Sequence, residues 1–397
     1  CIVEDGVASL STDSELGGFP LRVPQINVHT IGAGGGSLAR VSRGTLKVGP
    51  QSAGADPGPV CYSRGGTQPT STDCAVVLGL IDPDYFLGGE MHLDLPAARE
   101  AVRSELAEPL GMSVEEAALA VVRVQVAQIV SGIRNVSVEK GLDPREFVLL
   151  PFGGAGSLYS GLIAEELGVR DILVPIHASI LSALGMLMSD VKYTGVVACL
   201  APAAQMTAAT ARERIGALRE QVLAEMASER LDREAISFEY SADMRYAGQA
   251  FEINIPVQEA ALEDDSGIAD LVSEFNAEHK RLYGYSVAGE PVQFVNLRVT
   301  ALGRVQKAEL VAHAGKENDA AGPTGKRKVH LDGTSAREVP VWRRADLPPD
   351  SGIEGPAIIE DSGASIPLLA GHRLSVDAIG NLRISVLLRE EANRERH

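Results

Sequence analysis

Hydrophobic positions along the chain follow two rhythms. From Ser113 to about Gly141, Val122, Val126, Ile129, Ile133 and Val136 step by four, three, four and three, which keeps one helical face toward a core. Ser113-Val114-Glu115-Glu116 reads as a capping box opening that helix. Glu146–Phe152 is instead a short, nearly continuous apolar run, the pattern of a strand covered on both faces. It enters Gly153-Gly154-Ala155-Gly156, a helix from about Ser157 to Leu167 closed by Gly168, the strand 171–175 and the apolar helix 180–188. Strand, glycine-rich turn, helix, strand is an α/β unit.

Residues 1–95 read as short strands joined by Gly/Pro loops. Ile26–Ile31 alternates with period two and runs into Gly32-Ala33-Gly34-Gly35-Gly36-Ser37. Beyond the α/β unit, the pattern predicts a helix over 203–232, a hairpin over 238–256, a helix over 266–283 and a strand over 292–302. Residues 304–327 have linker composition, and short strands follow. The expected domains are 1–200, an α+β region over 201–303, the linker, and a C-terminal β-rich module over 328–397.

Composition narrows the function. A chain of 397 residues fits two or three domains, and 45% hydrophobic with 22% charged residues fits a folded one. No window of eighteen uninterrupted apolar residues occurs, so no transmembrane helix is expected. No basic stretch preceding an apolar core marks a secretory signal. A net charge of −17 argues against nucleic acid and anionic membranes as partners. Cys1, Cys61, Cys74 and Cys199 make no CxxC pair, which fits a reduced, cytoplasmic protein. Of the 41 glycines, 16 fall in the first 90 residues, where backbone must turn sharply or approach a ligand closely.

Each candidate group carries two readings. Gly34, Gly35, Gly36 and Ser37 present successive N–H groups to a phosphate, or form a tight loop; no Walker A Lys-Ser/Thr follows. Gly153, Gly154, Ala155 and Gly156 open room for a nucleotide at a strand's carboxyl end, or allow close strand–helix packing. Asp56 and Asp73 are candidate Mg²⁺ ligands, or caps of turns. His29 is a candidate base or phosphate contact, or a satisfied loop histidine.

Together these stretches resemble the A-type subunit of the hydantoinase/oxoprolinase family. The resemblance is carried by HTIGAGGGSLA (29–39), VGPQSAGADPGPVCYSRGGTQPTSTDCAVVLG (48–79), FLGGEMHLD (86–94), PFGGAGSLYSGLIAEELG (151–168), LSALGMLMSDV (181–191), DMRYAGQAFEINI (243–255), LYGY (282–285), FVNLRV (294–299) and GPAIIEDSGASIP (355–367). It implies an α/β fold: the second, RNase H-like lobe of an actin-like ATPase or sugar kinase, in residues 1–200, followed by the small C-terminal β-rich module. It also implies ATP with Mg²⁺ or Mn²⁺, and ATP-dependent opening of hydantoins, N-methylhydantoins or 5-oxoproline. Carboxylation of acetone or acetophenone, or a non-catalytic assembly role, is the alternative. Gly153–Gly156 match the superfamily's adenosine motif, and Gly34–Ser37 the family's GGGS loop. Asp56, Asp73 and His29 are the catalytic candidates, with Asp56 and Asp73 toward metal.

The implied partners are a B-type subunit and a small-molecule substrate. The chain opens at Cys1, where a DxGGTSTD-type motif is expected to end, and no first lobe with a DxGGT motif precedes it. Another polypeptide, or the rest of a longer protein, is expected to supply that lobe, leaving this chain inactive alone.

Overall fold

The computed structural model describes residues 1–397 except 12–13, 17–18, 22–24, 288, 308–321, 332–334 and 389–397. Much of the expected linker therefore lies outside the described residues. Short two- and three-residue ladders occur among residues 3–26. The hairpin β1 (Ser37–Ser42) and β2 (Thr45–Ser52) follows, then helices α1 (Ser71–Val77), α2 (Leu95–Val102) and α3 (Val114–Val136). Next come α4 (Ser160–Leu167), β3 (Asp171–Val174) and α5 (Leu181–Met188). The middle of the chain supplies β4 (Val191–Pro202), α6 (Ala208–Met226), β5 (Ile236–Tyr246), β6 (Ile253–Val257), α7 (Ser266–Tyr283) and β7 (Val292–Gly303). The last strands are β8 (Gly325–Val329), β9 (Arg337–Arg343), β10 (Gly352–Glu354), β11 (Ala357–Asp361), β12 (Ala364–Leu368), β13 (Arg373–Val376) and β14 (Leu382–Ser385).

The chain divides into two compact units, 1–184 with 310–397, and 185–309. In the first, one sheet runs β10-β13-β14-β3 and another β8-β9-β11-β12. Strand β14 pairs antiparallel with β3, Ile384 opposite Ile172. Residues 357–384 thus share one hydrophobic core with α1, α3 and α4. Helix α3 begins at the capping box read from sequence, Ser113 Oγ accepting from Glu116 N at 3.2 Å and Glu116 Oε2 accepting from Ser113 N at 2.9 Å. By length and composition this helix could cross a membrane, since an 18-residue window within Val114–Lys140 reaches a mean hydropathy of 1.4. Half of that stretch is buried inside the fold, and Val121, Val122, Val126 and Val130 are buried in its core.

Two expected strands differ. Residues 27–31 lead into the first glycine loop without strand structure. The run 147–152 pairs with β3 only through Leu149, whose N–H donates to Asp171 O and whose carbonyl accepts from Leu173 N, both at 2.9 Å. Val148, Leu150 and Phe152 are exposed. The apolar run therefore forms an open sheet edge, where a strand covered on both faces was expected.

The second unit is an antiparallel sheet ordered β4-β7-β5-β6, with α6 packed on β4 and β7 and α7 against β6. Its centre holds two motifs that the sequence left without a role. Asp243 on β5 accepts from Arg298 Nη2 at 2.7 Å and Asn296 Nδ2 at 2.8 Å on β7, and from Asn254 Nδ2 at 2.8 Å on β6. One carboxylate thereby ties three strands together. Fully buried His279 donates from Nδ1 to Tyr285 O at 2.8 Å and accepts at Nε2 from Gln249 Nε2 at 3.0 Å. Tyr246, Phe275, Tyr283 and Tyr285 surround its ring.

Burial acts to raise the Asp243 pKa, but hydrogen bonds from Arg298, Asn254 and Asn296 outweigh it and hold the carboxyl below the ordinary aspartate range. A depressed folded value stabilises the protein above the unfolded pKa, about 4, and that stabilisation disappears as pH falls through the lowered one. Thermal melts from pH 7 to pH 2 should therefore show a loss below about pH 4 that Asp243→Asn diminishes. An unchanged acid limb in the variant would exclude Asp243 as its source.

Candidate functional site

The first glycine loop is held from three sides. Ser37 Oγ accepts from Gly34 N at 2.9 Å, and Ser37 N donates back to Gly34 O at 3.1 Å. The carbonyl of Gly35 accepts from both N and Oγ1 of Thr72 at 2.9 Å, at the start of α1. The carbonyl of Gly34 accepts from Gln125 Nε2 on α3 at 3.1 Å. The second loop, Gly153–Gly156, leaves the sheet edge, with Gly153 N donating to Ala178 O at 2.7 Å.

The two loops meet. A Cβ added to Gly35 would stand 2.8 Å from Thr72 Oγ1 and 3.7 Å from Ala155 Cβ. Their glycines divide into two kinds. At Gly35 and Gly156 a side chain would collide with the fold, at Thr72 and at the Phe152 carbonyl respectively. At Gly34 and Gly154 it would meet nothing within 4 Å. The open glycines are not required by packing and leave two uncovered stretches of backbone on adjoining loops.

Asp73 lies elsewhere in the logic of the site. It is fully buried, and its oxygens accept from Cys61 N at 2.7 Å, Val60 N at 3.2 Å, Thr70 N at 2.7 Å and Thr70 Oγ1 at 2.8 Å. Thr70 and Asp73 form the capping box of α1. A carboxylate so enclosed has no face for a cation, so the structure assigns Asp73 to holding the fold, not to metal. Asp56 is exposed in its loop. Among the described residues no group of three or more His, Cys, Asp and Glu is placed to hold a metal.

His29 is exposed and stands at an open pocket of about 310 Å³ shared with Gln128, Ser131 and Asn135 of α3. Gln128 Nε2 donates to Val48 O at 2.9 Å. A smaller pocket of about 40 Å³ brings Gly154 beside Asp82, Tyr85 and the turn Asp361–Ser365. Sequence reading missed Gln125, Gln128 and Thr72. The signal was available, since Gln125 and Gln128 are amides three residues apart among the valines and isoleucines of α3.

Both parts of the chain match known families. The hydantoinase/oxoprolinase model covers residues 1–194, and the hydantoinase/oxoprolinase C-terminal domain covers 201–384.

The chain belongs to the hydantoinase/oxoprolinase family.

Within that family it is 36% identical to the caprolactamase subunit alpha of Pseudomonas jessenii over 388 residues, 94% of this chain and 54% of the relative. The structure of nucleotide-free acetone carboxylase superposes with a TM-score of 0.87 at 25% identity, over 96% of this chain and 56% of that one. The ATP-dependent caprolactamase of Pseudomonas jessenii superposes with a TM-score of 0.69 at 35% identity, covering 95% and 55%. This chain thus spans about half the length of the relatives it matches, and it shares their α/β fold.

Asp73→Ala leaves three backbone N–H groups without their acceptor and is expected to cost about 3 kcal/mol, read as a lower urea midpoint that added Mg²⁺ does not alter. Burial, then the neighbouring Asp73 carboxylate, pushes the Cys61 thiol far up, and burial does the same for Cys74. Neither should react with a thiol reagent at pH 8 until the protein unfolds, whereas exposed Cys1 should react at once.

Proposed function

We propose that this chain is the nucleotide-handling part of an ATP-dependent enzyme that opens cyclic amides. The close approach of the two glycine loops, where a Cβ added to Gly35 would fall 3.7 Å from that of Ala155, with Gly34 and Gly154 open, carries the reading. Backbone N–H groups on such loops suit a polyphosphate, and two structural relatives, acetone carboxylase and the caprolactamase of Pseudomonas jessenii, are ATP-dependent. On this reading residues 1–200 act as the second RNase H-like lobe, and a first lobe and a B-type subunit complete the enzyme in the cytoplasm. Mg²⁺ or Mn²⁺ would accompany ATP. The enclosed Asp73 does not fit as its ligand, and we assign no step to it.

The chemistry is activation of a poor electrophile. The amide oxygen attacks the γ-phosphorus; the bond to the β-phosphate oxygen breaks, and ADP leaves. The resulting O-phosphorylated amide carries a good leaving group. Water adds to its carbon, the C–N bond breaks as the ring nitrogen takes a proton and leaves as an amine, and a second water hydrolyses the resulting acyl phosphate to the amino acid and free phosphate. The sum is lactam, ATP and two waters to amino acid, ADP and phosphate. Likeness to acetone carboxylase favours a second reading, in which the same phosphoryl transfer serves a ketone's carboxylation; bicarbonate dependence separates the two.

Leucine at Gly34 or Gly154 meets no atom of the fold within reach of its Cβ, so these variants probe the ligand and not the packing. In the full-length protein with its partner subunit, each should lower ATP-dependent lactam turnover about a hundredfold with an unchanged melting temperature. Wild-type turnover in both variants would overturn the assignment and leave an assembly role.

A further inference from the structure

The second glycine loop hangs from a short turn that the C-terminal strands hold in place. Gly153 N donates to Ala178 O at 2.7 Å, and Ala178 N donates to Pro175 O at 3.1 Å. Residues 175–178 are thus one turn between β3 and α5, and the loop is hydrogen-bonded to it. The turn's remaining anchors come from far along the chain. Asn381 Oδ1 accepts from Ile176 N at 3.0 Å, across 205 positions of sequence. Arg344 Nη2 donates to Val174 O at 3.1 Å and to Gly380 O at 2.8 Å.

Both anchors are themselves fixed. Asp377 accepts from Asn381 N at 2.9 Å and from Asn381 Nδ2 at 3.0 Å. The amide nitrogen is therefore committed to Asp377, which leaves the oxygen to Ile176. Arg344 is buried, with Nη1 3.4 Å from Asp361 Oδ2. A guanidinium taken out of water is costly, and here one nitrogen serves two main-chain carbonyls, so what it fixes is backbone position. The same strands also face the loop directly. The turn Asp361–Ser365 lines the small pocket with Gly154, and a Cβ added to Gly363 would collide with Ser179.

We propose that Asn381 and Arg344 are positioning residues for the second glycine loop. By holding Val174 and Ile176 they set the place of Ala178, and through it the backbone of Gly153–Gly156. This gives the C-terminal β-rich module a part in nucleotide binding. The proposal rests on the nucleotide reading above and extends it, since ATP affinity then depends on residues that hold the loop's support and not the loop itself.

The test uses the full-length protein with its partner subunit. Asn381 is partly exposed, so Asn381→Ala removes the acceptor of Ile176 N without opening the core. Arg344→Lys keeps the charge and loses the fork. Val339→Ala is the control for lost stability alone, since Val339 packs in the separate cluster of Val329, Val341 and Ile358. In calorimetric titration, Asn381→Ala and Arg344→Lys should each weaken ATP binding about tenfold, the equivalent of one hydrogen bond. Amide hydrogen exchange at Gly153 should quicken in both by about tenfold or more. Val339→Ala should lower the melting temperature and leave both readings unchanged. Unaltered ATP affinity in both variants, unaltered exchange at Gly153, or the same changes in Val339→Ala would each overturn the positioning role. Absence of ATP binding by the wild type would instead overturn the nucleotide reading, while exchange at Gly153 still decides whether Asn381 and Arg344 hold the loop.

Discussion

The buried carboxylate of Asp73 is the constraint on which the glycine-loop architecture depends. It gathers the N–H groups of Val60, Cys61 and Thr70 around the first turn of α1. With that turn fixed, Thr72 projects its hydroxyl and N–H onto the Gly35 carbonyl. Gly35 in turn carries the loop against Ala155. An isolated carboxylate in a core is costly, and three backbone donors with one hydroxyl offset that cost. The acidic residue that resembles a metal ligand in the linear motif is the keystone of the loop beside it.

How much of this was legible follows from the range of each signal. Helix α3 declared itself, because the cap at Ser113 and the four-three spacing of its valines and isoleucines are local facts. Asp73 was ambiguous for the opposite reason. Thr70-Ser71-Thr72-Asp73 has the spacing of a capping box, yet Asp in a glycine-dense loop also suits a cation, and only the burial separates them. Residues 147–152 show the limit of an apolar run, which reports hydrophobicity and not what covers it. The pairing of β14 with β3 joins residues more than two hundred positions apart, and no periodicity carries that information.

The division of the glycines was likewise invisible in the chain. Gly34, Gly35, Gly154 and Gly156 are identical letters, but two stand against protein atoms and two face open space. Sequence located both loops and gave each a ligand reading beside a packing one. It did not indicate that Gln125 and Gln128 would stitch α3 to the loop carbonyl and to β2. Polar residues on a buried helical stripe are informative for this reason: each requires a partner.

The uncovered edge at residues 147–152 bears on how the chain behaves in solution. Because Leu149 turns both its peptide groups toward β3, the peptide groups of Val148 and Leu150 point the other way, beside side chains that are exposed and apolar. Such an edge is a template for any extended segment able to add to it. Charged substitutions at Val148 or Leu150 would make that edge a poorer template for such pairing.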